Sequence, residues 1–143
     1  MFTTILVALD ESEAASAALA LALELAALDR AQLLLVNVVD VARLVAIAGY
    51  ATPYPATALE ALTEAGAAFL DQHKAACTAA GVAASTALGQ GDAVDEIIRL
   101  AREHEAGLIC IGTHGRKGLA HFFIGSVAEG VLRNADMPVL VTH

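Results

Sequence analysis

Residues 108–126 of the chain run LICIGTHGRKGLAHFFIGS. Leu108 to Ile111 make a short apolar strand. A glycine-rich loop with the adjacent basic pair Arg116 and Lys117 follows. Gly125-Ser126 then opens a segment, to Asn134, in which Val127, Val131 and Leu132 share one helical face. The glycines are spaced G-x2-G-x9-G-S. Glycine lets backbone N–H groups approach an anion with no Cβ in the way, so Gly112, Gly115, Gly118 and Gly125 are candidate donors. Ser126 is expected as the N-cap of the helix, whose first-turn N–H groups and dipole favour negative charge. The alternative is a plain turning loop, but the connection exceeds the roughly two to six residues usual between strand and helix.

Outward from this unit, strands and helices alternate. Thr3 to Leu9 is an apolar strand, followed by an alanine- and leucine-rich helix from about Ser12 to Leu28. Gln32 to Val39 is a continuous apolar run, as expected of a strand covered on both faces. Asp40 to Pro55 reads as an irregular excursion. Thr57 and Glu60 have capping-box spacing at the head of a helix that Gly81 stops near Ala80. Val82 to Leu88 is a weaker third strand, and Gly89 to Asp92 a turn and cap for a helix over Ala93 to Glu105. Val139 to Thr142 is the fifth strand.

This βαβαβαβαβ order calls for right-handed crossovers and a three-layer α/β/α sandwich, one domain over residues 1–143. In the doubly wound, Rossmann-like order 3-2-1-4-5, ligands bind outside the carboxyl ends of strands 1 and 4, at the switch point. Those ends are Asp10 and Gly112. Asp10 is therefore a ligand candidate, and equally a cap for the first helix.

Composition narrows the function. A formal net charge of −8, with Lys74 and Lys117 the lysines present, argues against a nucleic-acid surface. The chain is 57% hydrophobic, yet its charge-free stretch Leu44 to Leu59 is broken by Gly49, Pro53 and Pro55, so no membrane insertion is expected. No basic residue precedes Arg30, which disfavours a leader and points to the cytoplasm. Cys77 and Cys110 lie far apart and read as packed thiols. The nucleotide motifs G-x-x-x-x-G-K-[ST] and G-x-G-x-x-G are absent. His114 is either a phosphate donor or acid, or a solvated loop residue. Arg116 and Lys117 are phosphate partners or ordinary exposed cations.

The glycine spacing, the stretch Ile111 to Arg116, the run Gly125 to Glu129 and the ending Pro138 to Val141 together resemble the universal stress protein family. Ile5 to Asp10 and Gly91-Asp92-Ala93 are similar as well, so the resemblance covers the whole chain. It implies a fold of the adenine nucleotide alpha hydrolase type and a homodimer in the cytoplasm. In the glycine-motif branch it implies binding of ATP, with Mg2+ or Mn2+ at the phosphates. By position, Gly112, Gly115, Gly125 and Ser126 would hold phosphates and ribose with Val127 alongside. Asp10 and Val38 would surround ribose and adenine, Ala8 would line that end, and Ile111 would pack near sugar and base. His114 and Arg116 complete the candidate set.

Glu11 departs from the glycine that many members carry there; an added carboxylate repels polyphosphate unless it turns outward or a metal bridges it. The function implied is a nucleotide-sensing stress-response or regulatory protein with at most slow ATP hydrolysis and an unknown downstream partner. The alternatives are a nucleotide-independent dimeric interaction protein and a nucleotide-hydrolysing or transferring enzyme. The strand Val139 to Thr142 would leave a bare sheet edge, and pairing with a second copy would cover it.

Overall fold

A computed structural model of the protein describes residues 1–48, 56–113 and 124–143. Along the chain run β1 (Thr4–Ala8), α1 (Glu13–Asp29), β2 (Gln32–Val39), α2 (Val41–Ala48) and α3 (Ala56–Ala79). Then follow β3 (Ala84–Gln90), α4 (Ala93–Glu103), β4 (Leu108–Gly112), α5 (Ser126–Asn134) and β5 (Val139–Thr142). All four strand pairings are parallel and the order is β3-β2-β1-β4-β5, as the alternation of elements predicts.

The apolar runs are continuous because both faces of the sheet are covered, and the side chains within them divide by parity. Ile5, Val7, Leu33, Leu35, Leu108 and Cys110 meet α1 and α3 on one face. Leu6, Leu34, Val36, Ile109 and Ile111 meet α4 and α5 on the other. Burying each such Leu or Ile contributes about 1.5–3 kcal/mol, so the central strands β1, β2 and β4 anchor the domain. Helix α1 reaches the sheet through small residues at helical spacing, with Ala14, Ala18, Ala22 and Ala26 all buried. Burial pushes the Cys110 thiol up to about 11 and raises that of Cys77, so both buried cysteines are protonated packing groups.

Several elements depart from expectation for local reasons. Residues 41–48 of the supposed irregular excursion form α2, since the helix breakers Gly49, Pro53 and Pro55 all come after them; residues 49–55 lie outside the described ones. Helix α3 begins at Ala56, which puts Thr57 inside its first turn rather than ahead of it. Strand β3 runs on through Gly89 and Gln90, because these pair with Val38 and Val39. The turn is left to Gly91 at φ 134, and Asp92 caps α4 as expected, accepting from Asp95 N at 3.0 Å. Among the described residues, no helix is long and apolar enough to cross a membrane.

Candidate functional site

Strands β2, β1 and β4 are neighbours in the sheet, and a cavity of about 160 Å3 opens over their carboxyl ends. Ala8 and Ile111, register partners across β1 and β4, contribute to its lining. Val36 and Val38 come from β2, Ala93 and Ile97 from α4, and Val127 and Ala128 from α5. Asp10 lines it just beyond β1, Gly112 at the end of β4, and Gly125 at the start of α5. Residues more than a hundred positions apart in sequence thus meet at the switch point of the sheet.

Of the residues singled out in the sequence, Ala8, Asp10, Val38, Ile111, Gly112, Gly125 and Val127 line this cavity together. His114, Gly115 and Arg116 lie outside the described residues. Ser126 stands differently from the expectation. It is the exposed first residue of α5 and is not among the cavity-lining residues; Gly125 takes the N-cap position and makes no side-chain cap. The reason is that the carbonyl of Gly125 already accepts the first helical bond, from Glu129 N at 2.9 Å. A glycine cap supplies no side-chain oxygen to the first-turn N–H groups, and Val127 and Ala128 of that turn line the cavity.

Asp10 is held by a polar brace. Its Oδ1 accepts from Ser12 N at 2.8 Å, while Ser12 itself caps α1, its Oγ accepting from Ala15 N at 3.1 Å. Asp10 therefore supports the capped turn and does not cap the helix directly. On the other side Leu9 N donates to Val36 O at 2.7 Å, and Asn37 Nδ2 donates to Leu9 O at 2.8 Å. Asn37, which also lines the cavity, was not singled out by any motif. Its one signal is a polar residue interrupting the apolar run of β2. Asn37→Ala leaves the Leu9 carbonyl without this donor at the base of the Asp10 turn. We expect it to cost about 1–3 kcal/mol in urea denaturation, with a larger fractional loss of ligand affinity than an exposed control such as Glu24→Ala.

The start of the glycine loop is tied down as well. Thr113, buried, donates to Thr142 O from both its N, at 2.7 Å, and its Oγ1, at 3.1 Å. Thr142 Oγ1 in turn donates to Ala14 O at 2.9 Å. The loop thus leaves the sheet from a point fixed by β5 and by the first turn of α1. Glu11, whose charge opposed a polyphosphate ligand, is exposed and is not among the residues lining the cavity. It lines a neighbouring open groove of about 560 Å3 together with Leu62 and Phe69 of α3. Asp10, Asn37, Val38 and Asp40 border both spaces.

The apolar walls and the few polar groups gathered at a switch point are those of a small-molecule site. The chain matches the model of the Universal stress protein family over residues 1–143. It is similar to universal stress protein YxiE of Bacillus subtilis, 30% identical in an alignment of 148 positions that covers 100% of both chains. It is also similar to universal stress protein MJ0531 of Methanocaldococcus jannaschii, 40% identical over 82 residues, which are 57% of this chain and 48% of that one. Among solved structures, a protein of the universal stress protein family from Burkholderia pseudomallei shares 40% identity at a TM-score of 0.76, over 97% of this chain and 94% of that one. A universal stress protein in complex with cAMP shares 25% identity at a TM-score of 0.67, over 99% of this chain and 97% of that one. With the sheet order, the switch-point cavity and a match along the full length all in agreement, the chain belongs to the universal stress protein family.

Proposed function

We propose that this protein binds an adenine nucleotide in the switch-point cavity, with ATP accompanied by Mg2+ or Mn2+ as the principal ligand. The observation that carries this reading is the meeting of Asp10, Gly112 and Gly125 on one cavity whose walls, Ala8, Val38, Ile111 and Val127, are apolar. Apolar walls suit a purine, and a glycine-capped helix start suits a phosphate. A solved relative of the same fold is described in complex with cAMP, which supports the adenine class. Gly115, His114, Arg116 and Ser126 belong to the same proposed set, by position in the glycine motif.

Binding, with hydrolysis slow at most, would alter the glycine loop and the adjoining surface, so that a partner reads nucleotide state in a cytoplasmic stress response. The edge strand β5 would pair with that of a second copy across a two-fold axis, which covers its unpaired backbone groups. Sedimentation of the purified protein as a monomer at micromolar concentration contradicts that pairing. For the ligand, freshly purified protein is denatured, released nucleotide is identified by chromatography, and binding is titrated calorimetrically with Mg2+ present. An adenine nucleotide, released or bound, is expected. The absence of heat or retention with ATP, ADP, AMP and cAMP at millimolar concentration overturns the reading.

A further inference from the structure

We infer that Gly130 is a positioning residue for the ligand: lacking a side chain, it lets α5 close against Val94 of α4, and that contact sets where the first turn of α5 stands at the cavity. The inference rests on the nucleotide reading above, and neither residue is among those lining the cavity. Gly130 is the fifth of the 9 residues of α5, a helix interior where glycine is a poor choice beside alanine. Its reason lies on the facing helix. A Cβ at Gly130 would stand 2.6 Å from Val94 Cγ2 and 3.2 Å from Val94 Cγ1. The shorter of these falls about 1 Å below ordinary carbon–carbon contact. Val94 has no easy escape, because a β-branched side chain in a helix keeps to one rotamer.

The contact lies at the cavity end of both helices. Val94 is the second residue of α4, next to the lining residue Ala93 and one turn before Ile97. Val127 and Ala128, just ahead of Gly130 on α5, line the cavity as well. The other end of α5 is fastened. Arg102 of α4 pairs with Asp136 at 3.2 Å, and Ile109 N of the sheet donates to Pro138 O at 3.0 Å, directly ahead of β5.

A methyl group at Gly130 therefore wedges α5 from α4 at the end that faces the ligand. Val127, Ala128 and the first-turn N–H groups shift with the helix, whereas Ala8, Val38 and Ile111 stay where the strands hold them. The damage falls on the phosphate contacts and spares the walls built by the sheet.

The test titrates AMP, ATP with Mg2+ and adenosine calorimetrically into wild type, Gly130→Ala, Val94→Ala and the double variant, with thermal melting of each. Wild type is expected to prefer the phosphorylated ligands. Gly130→Ala lowers their affinity about tenfold, as for a weakened hydrogen bond to a charged group, and leaves adenosine within about threefold. It stays folded, because the helix-favouring methyl offsets part of the overlap. Val94→Ala removes the methyl groups that the new Cβ meets, so the double variant binds AMP within about threefold of wild type. A general loosening of the domain weakens all three ligands alike. Gly130→Ala that keeps the wild-type ratio of AMP to adenosine affinity, that fails to fold, or that Val94→Ala does not rescue overturns the role of Gly130 and leaves the nucleotide reading standing. Wild type that binds none of the three removes that reading itself.

Discussion

Gly112→Ala lowers the stability of the protein by about 3 kcal/mol and its melting temperature by roughly 10 °C, with or without nucleotide. A Cβ at this position stands 2.5 Å from Ala15 N and 2.6 Å from the Ala14 carbonyl oxygen, and also overlaps the Ala14 carbonyl carbon. All three are backbone atoms of the first turn of α1, so no side-chain rotamer relieves the clash. The turn must move, and it is fastened from two directions: Ser12 caps it through Ala15 N, and Thr142 Oγ1 donates to Ala14 O. Thermal and urea denaturation of Gly112→Ala measure the loss. The double variant Gly112→Ala with Ala14→Gly is expected to regain none of it, because the methyl of Ala14 is not the obstacle. A melting temperature within two degrees of wild type for Gly112→Ala, or rescue by the second substitution, refutes this account.

That reason for Gly112 is invisible in the sequence. From residues 108–126 the glycine reads as a close-approach position for a ligand, and it does line the cavity, but what forbids a side chain there is a helix nearly a hundred residues earlier in the chain. The strands and their order are legible for a physical reason: a parallel sheet covered on both faces demands runs such as Gln32 to Val39 that few other structures need. The meeting of Asp10 with Gly112 and Gly125 follows from that order alone. What escapes is set by contacts without periodicity. Asn37 acts through one bond to a carbonyl on the neighbouring strand, and Thr113 through β5. The extent of β3 is decided by its partner, since Gly89 and Gln90 have poor strand propensity and are held by Val38 and Val39. The start of α5 slips by one residue because a serine next to a glycine offers two capping choices, and the chain uses the glycine.

Gly125→Leu is expected to abolish the proposed nucleotide binding, lowering affinity at least roughly a hundredfold, while changing stability by only about 1 kcal/mol. The backbone here is at φ −61 and ψ 155, a conformation any L residue adopts, so the substitution introduces no backbone strain. The modest stability cost is that of a leucine at an N-cap, where glycine is the better residue. The ligand cost is larger. Gly125 is buried at the cavity wall, and its carbonyl begins the α5 ladder while the first-turn N–H groups that follow have no side-chain cap. With Gly125 on the cavity lining, a leucine side chain there is expected to take space that a phosphate would use to reach those donors, and an alkyl group offers the anion nothing in exchange. Calorimetric titration with AMP and ATP, paired with urea denaturation of the same preparations, separates the two effects. Affinity within threefold of wild type rules out an anion site at the start of α5. Beside Gly112→Ala the result has a direct reading. The two glycines frame one loop, yet one is required by the packing of α1 and the other by the proposed ligand, so the first substitution is expected to cost mainly stability and the second mainly nucleotide affinity.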